Sequence, residues 1–250
     1  MASESKLIEN LVLIHCKIDA AARRSGRTAD DITFVAVTKY VTSDVVRQLV
    51  AAGCRDLGES RPQELWSNAE VLGDFAGDNT STHFDSAGSL IRWHLIGHLQ
   101  RNKIQRTLPI VSLIHSGDSM RLLEAVDQAA SRLNRRAAML IEVNVSGDAT
   151  KHGFKPHEVE PAFAKIAALS SLQIRGLMCM ASREGDLDQA RREFAALREL
   201  RDRLCPMAPP NIVLRELSMG MSGDFEVAIE EGATMVRIGS ALFEGISQSS

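Results

Sequence analysis

Lys39 closes the apolar run Phe34-Val35-Ala36-Val37-Thr38, which shows no polar alternation. Such a run reads as a strand buried on both faces, the pattern of a parallel sheet. Thr42 or Ser43 then offers an N-cap, Val45, Val46, Leu49 and Val50 make a helical stripe, and Gly53 ends it. Lys39 therefore stands where a strand passes into a loop and a helix, the edge at which parallel α/β folds bind ligands. An amine half-desolvated at that edge can lose enough basicity to form a Schiff base. On position alone, a lysine that ends a strand and points into water is the more ordinary outcome.

Two clusters near the C-terminus have the chemistry of an anion cradle. Ser218-Met219-Gly220-Met221-Ser222 combines hydroxyls with a glycine that lets the backbone approach a ligand, and Ser222 is placed to cap the next helix. Arg237-Ile238-Gly239-Ser240 adds a cation, a second glycine and another hydroxyl. Taken singly, the glycines read equally well as turn residues and Ser222 as a plain cap. Together, on the last two strands and beside a lysine on the first, they point to a phosphate site. Asn144, at the end of the fifth predicted strand, points toward the same mouth, and His94 reads as a packing residue or a ligand-side residue.

The elements that must position these groups alternate in a regular way. Leu7, Leu11, Ile14 and Ile18 define a helix over 6–25, ahead of the first strand. Strands are predicted at 34–38, 54–59, 93–97, 111–116, 138–145, 174–180, 213–218 and 235–239. Helices fall between them, marked by Pro62, a short basic segment at 99–108, Asp118 or Ser119, Pro156, Asp186 and Ser222. Residues 73–90, rich in Gly, Asp, Ser and Thr, read as a mobile surface loop. Eight strands alternating with helices predict one domain over residues 1–250, a (β/α)8 TIM barrel with an extra N-terminal helix. A doubly wound sheet has the same periodicity and stays open at this point.

Composition narrows the function classes. A net charge of -3 gives no electrostatic reason for a nucleic-acid or membrane partner. No apolar run approaches the roughly 20 residues of a membrane span, and the N-terminus lacks a signal-peptide pattern, so a cytoplasmic location is expected. Cys16, Cys54, Cys179 and Cys205 show no CxxC spacing, which predicts free, buried thiols rather than a metal or redox site.

Five segments fall in one order along the chain: Val37-Thr38-Lys39, Gly58-Glu59-Ser60, His94-Leu95-Ile96-Gly97-His98-Leu99-Gln100-Arg101-Asn102-Lys103, Gly176-Leu177-Met178 and Leu217-Ser218-Met219-Gly220-Met221-Ser222. With Met235-Val236-Arg237-Ile238-Gly239-Ser240 they closely resemble the pyridoxal phosphate homeostasis protein family. The similarity runs from the first helix nearly to the C-terminus. It implies the barrel of alanine racemase's N-terminal domain, with pyridoxal 5′-phosphate (PLP, the vitamin B6 cofactor) held as a Schiff base on Lys39. By the same resemblance Ser218, Gly220, Gly239 and Ser240 hold the phosphate and Arg237 faces the pyridine nitrogen. A guanidinium keeps its protons, so it donates to an unprotonated ring nitrogen and leaves the ring a weaker electron sink.

Ser60 stands where the family often has asparagine, which puts any contact from that amide in doubt. Lys103 and Lys151 match family lysines and are expected to be solvent-facing or structural.

The resemblance implies a regulator or carrier of PLP within the cell, with PLP-dependent apoenzymes as potential partners and no established turnover. The alternatives are a PLP-dependent amino-acid racemase, or a barrel for another phosphorylated metabolite with Lys39 as an aldolase-type amine. Alanine racemases use a tyrosine from an additional β-domain as a second base. Here the chain ends at Ser250, soon after the eighth strand, and its single tyrosine is Tyr40, beside Lys39 on the chain and expected to point elsewhere. Two-base racemisation is therefore not the expected activity.

Overall fold

The computed structural model describes residues 2–39, 41–72, 83–84, 90–148 and 150–246. Each predicted strand is present, shifted by at most a few residues: β1 (Thr33–Val37), β2 (Asp56–Glu59), β4 (Leu90–Leu95), β5 (Val111–Gly117), β6 (Ala137–Glu142), β7 (Leu172–Met178), β8 (Ile212–Ser218) and β9 (Met235–Ile238). Most of the loop expected over 73–90 lies outside the described residues. Within it His83–Phe84 forms a two-residue strand, β3, antiparallel to the start of β4.

The eight long strands are all parallel, in the order β1, β2, β4, β5, β6, β7, β8, β9. What distinguishes a barrel from a doubly wound sheet is the last pairing. β9 returns to β1 over Thr33↔Met235 to Ala36↔Ile238, which leaves no open edge. The doubly wound alternative is thereby removed.

Helices α1 (Ala2–Arg24), α2 (Ser43–Ala51), α3 (Pro62–Val71), α4 (Ile104–Thr107), α5 (Met120–Arg132), α6 (Pro156–Ala167), α7 (Leu187–Leu204) and α8 (Phe225–Glu230) surround the barrel. Several begin at the residues that the sequence marks. The Ser119 hydroxyl accepts from the Leu122 N–H and the Asp186 carboxylate from the Gln189 N–H, while Pro62 and Pro156 open α3 and α6. The cap expected of Ser222 is a correction, since α8 starts at Phe225 with Asp224 in the cap position.

The stripe predicted on α1 is buried: Leu7, Leu11, Ile14 and Ile18 are each at most 5% exposed. Arg24 also pairs with Glu226 and Glu230 of α8. Burying one such aliphatic side chain is worth about 1.5–3 kcal/mol, against about 0–1 for a surface ion pair. Burial therefore holds α1 in place, and the arginine orients it. Asn10 of α1 donates to the carbonyls of Leu242 and Glu244, tying down the turn that follows β9.

The main core lies between strands and helices. A separate small cluster of Leu113, Leu140 and Met178 fills part of the barrel interior. All four cysteines are free. Cys54 and Cys179 are buried as expected, whereas Cys16 and Cys205 are exposed, correcting the expectation for those two.

Candidate functional site

Strand alternation decides which groups enter the barrel. A Cβ on Gly58 would meet Val35 Cγ1 at 2.8 Å, so Val35 and Gly58 face each other inside. Thr38 points the opposite way. Its hydroxyl donates to Glu59 Oε1, which also receives the Asn68 amide of α3 at 2.9 Å, in the layer between strands and helices. Two residues after Val37, Lys39 stands exposed at the C-terminal edge of β1.

Gly239 lies against that edge. A Cβ there would sit 3.2 Å from Val37 Cβ and 3.3 Å from the Val37 carbonyl oxygen, so the backbone after β9 runs directly beside the residues that lead to Lys39. The Gly239 and Ala241 N–H groups converge on one acceptor, Ser222 Oγ, at 3.2 and 3.3 Å. Two backbone donors aimed at a single oxygen form the arrangement that an anion oxygen can enter. Gly220 adopts φ +92°, and a Cβ on it would lie 2.5 Å from Ala228 Cβ, so only glycine lets the β8 loop press on α8. The Gly220 carbonyl accepts from the Arg237 N–H at 3.0 Å, joining the two clusters. Ser240 follows on the exposed rim.

Ser218 and Arg237 go deeper. Ser218 is fully buried, and its hydroxyl accepts from Arg237 Nη1 (2.5 Å) and lies 2.8 Å from His115 Nδ1. Its hydroxyl therefore belongs with Arg237 inside the barrel, while Ser222 Oγ meets the rim N–H groups. Arg237 also donates through Nη2 to the Cys179 carbonyl at 3.0 Å. Among the described residues no carboxylate forms an ion pair with it. Burial pushes the guanidinium pKa below its ordinary value. The ordinary value lies so far above neutrality that the group remains a cation with directional N–H donors.

Asn144 is occupied within its own loop. Its amide donates to the Asp148 carbonyl (2.7 Å), and its Oδ1 accepts from the Ser146 hydroxyl and the Gly147 N–H. Lys151 is structural, as expected, donating to the carbonyls of Met180 and Ala181 and so fastening the β6 loop to the β7 loop. Lys103 lies 5.5 Å from the centre of the Trp66 ring. Gly97 explains the glycine of the histidine-rich segment. A Cβ there would fall 2.3 Å from the Ser60 carbonyl, so the loops after β2 and β4 pack backbone to backbone. Tyr40 lies outside the described residues.

Three buried side chains in and around the barrel were given no role by the sequence. Glu142, at the end of β6, is pushed up to about 7, first by burial and next by Asp118, against the opposing pull of Arg237. Glu59 is pushed up to about 7 by burial. His115 is fully buried, and burial holds its pKa well below 6.5, so it is neutral. Cys179 is no nucleophile at neutral pH, because burial pushes its thiol up to about 12.

The donor set fits a pyridine aldehyde phosphate. It offers a lysine exposed at the mouth, paired backbone N–H groups for an anion, and a buried cation that forms no ion pair with a carboxylate among the described residues. Fold and site together define a barrel of the alanine racemase N-terminal-domain class, and residues 18–246 match that family. The chain is 37% identical over 235 residues to the pyridoxal phosphate homeostasis protein of Aquifex aeolicus, covering 94% of this chain and 96% of that one. To the protein of the same name from Bos taurus it is 38% identical over 256 residues, covering 97% and 88%. It belongs to the pyridoxal phosphate homeostasis protein family. Among solved structures, PipY of Synechococcus elongatus with PLP bound superposes with a TM-score of 0.79 at 30% identity, covering 95% of this chain and 99% of that one.

Proposed function

We propose that this chain binds PLP at the C-terminal mouth of its barrel and serves intracellular PLP homeostasis as a holder of the cofactor rather than a turnover enzyme. The observation that carries the reading is the convergence of the Gly239 and Ala241 N–H groups on one oxygen, beside the edge that presents Lys39. In this reading Lys39 takes the aldehyde, and the backbone at Gly220, Gly239 and Ser240 receives the phosphate. Ser218 supports Arg237, which donates to the ring nitrogen, and Asn144 shapes the loop beside the mouth. When bound, PLP supplies an electrophilic carbonyl for primary amines. The protein residues orient it, and Arg237 leaves the ring nitrogen unprotonated, which suits storage better than carbanion chemistry. The family name of the relatives and the PLP bound in PipY support the assignment. PLP-dependent apoenzymes are the partners that a carrier would serve.

An absorbance spectrum of the purified protein, followed by borohydride reduction and peptide mapping, tests this reading. The expected result is a yellow protein with a reduced adduct on Lys39. A colourless protein that gains no adduct after incubation with PLP overturns it. Sustained exchange of the Cα hydrogen of alanine or serine in D₂O would instead favour a racemase.

A further inference from the structure

A single file of polar side chains crosses the interior of the barrel. It starts at Arg237 near the mouth and passes through Ser218 Oγ to His115 Nδ1 at 2.8 Å. From His115 Nε2 it reaches His94 Nδ1 at 2.9 Å, and from His94 Nε2 it reaches Asp56 Oδ1 at 3.0 Å. Asp56 is then gripped by Arg92, whose side chain is 45% exposed at the opposite end. His94, His115, Ser218 and Arg237 are each at most 4% exposed, so water offers them no alternative partners.

The two ends fix the direction of every bond between them. A guanidinium can only donate, so Ser218 Oγ accepts from Arg237. The Asp56 carboxylate, held below its ordinary pKa by hydrogen bonds from His94 and Arg92 despite burial, can only accept, so His94 Nε2 carries a proton. With neutral rings, His94 Nδ1 accepts from His115 Nε2–H, and His115 Nδ1 accepts the Ser218 hydroxyl proton. Each ring nitrogen then has one partner, and the Ser218 hydroxyl accepts one bond and donates one. The competing arrangement makes His94 an imidazolium and turns both remaining bonds around. His115 would then donate to Ser218, which already receives Arg237, and among the described residues the Ser218 hydroxyl proton would have no acceptor. A buried donor without a partner is costly, so the neutral arrangement wins.

We propose that His115 and His94 are positioning residues for Arg237: both neutral and protonated at Nε2, they carry a one-way line of hydrogen bonds from the guanidinium through Ser218 to the Asp56 carboxylate. The line ties the orientation of the guanidinium to the Asp56–Arg92 ion pair across the barrel without placing a carboxylate on it, because each bond polarises the next. A carboxylate placed directly on Arg237 would occupy the N–H groups that a ring nitrogen requires. The inference about tautomers stands on the cofactor-free protein. Its consequence for the cofactor rests on the PLP-binding reading above.

The test is a long-range ¹H–¹⁵N spectrum of ¹⁵N-labelled, cofactor-free protein at pH 7.5, with His94→Gln and His115→Gln used to assign the two rings. Both should show the neutral Nε2–H pattern. An Nδ1–H pattern or an imidazolium at either ring overturns the proposal, whether or not PLP binds. With PLP added, His115→Phe should shift the visible band and release the cofactor about tenfold faster, the loss expected for about one hydrogen bond. His115→Gln, which can still accept and donate, should stay near wild type. If His115→Phe does not fold, Asp56→Asn removes the anion and should move the band in the same direction. A band unchanged in the folded variants overturns the positioning role. Failure of the wild type to take up PLP rejects the functional reading and leaves the tautomer result standing.

Discussion

Replacing Glu59 by glutamine should remove a pH dependence of stability that its carboxyl imposes. Glu59 is fully buried, Oε1 receives Thr38 and Asn68, and among the described residues Oε2 has no partner. Burial raises its pKa to about 7 in the folded chain, from an ordinary value of 4.5. Between those values the folded state binds more protons than the unfolded one, so stability falls as pH rises from 4.5 to 7 and is level above. At about 1.4 kcal/mol per pH unit, the gap is worth about 3 kcal/mol at pH 8. For a chain of this size that corresponds to a melting difference on the order of 8 °C. Glutamine keeps an acceptor for Thr38 and Asn68 and carries no charge. Thermal unfolding of cofactor-free protein should therefore show Glu59→Gln close to wild type at pH 5 and clearly more stable at pH 8. Glu142, also pushed up to about 7, is present in both proteins and cancels in the difference. A wild-type-to-variant gap that is the same at both pH values, or one that favours wild type at pH 8, refutes the reasoning.

Three further outcomes are expected. Lys39→Ala should lose the borohydride-trapped adduct, read by intact mass, yet retain weaker PLP binding through the phosphate. Arg237→Glu should change the visible band of bound PLP by allowing the ring nitrogen to protonate, and an unchanged spectrum counts against its place at that nitrogen. Gly220→Ala must hold alanine at φ +92° with its Cβ 2.5 Å from Ala228 Cβ. It should lower stability by about 2–5 kcal/mol in urea unfolding, the sum of left-handed strain and overpacking.

What could be read from the chain alone was whatever depends on neighbours in sequence. Apolar runs such as 34–38 and the nearly continuous 138–145 marked strands directly, because a strand covered on both faces has no polar side to show, and the alternation with helix signals placed the rest. Helix caps at Ser119 and Asp186, prolines at 62 and 156, and the positive-φ glycine at 53 are local events, and each lies where the residue types place it. Lys39 at the end of β1 was legible for the same reason.

Contacts between strands were not. Whether β9 closes onto β1 depends on twist summed around the whole sheet, so periodicity left the doubly wound form open until the Thr33↔Met235 pairing settled it. Ser222 reads as a cap from its neighbours, yet its hydroxyl is claimed by the N–H groups of Gly239 and Ala241, seventeen and nineteen residues away. The line from Arg237 to Asp56 draws on β2, β4, β5, β8 and β9. Its central contact forms where the register of β4 on β5 shifts at Trp93/His94. Alternation within a strand says which residues face inward; only the shear between strands decides which of them meet, and it is that meeting which, among the described residues, leaves a buried arginine without a carboxylate ion pair and two carboxyls with pKa values near 7.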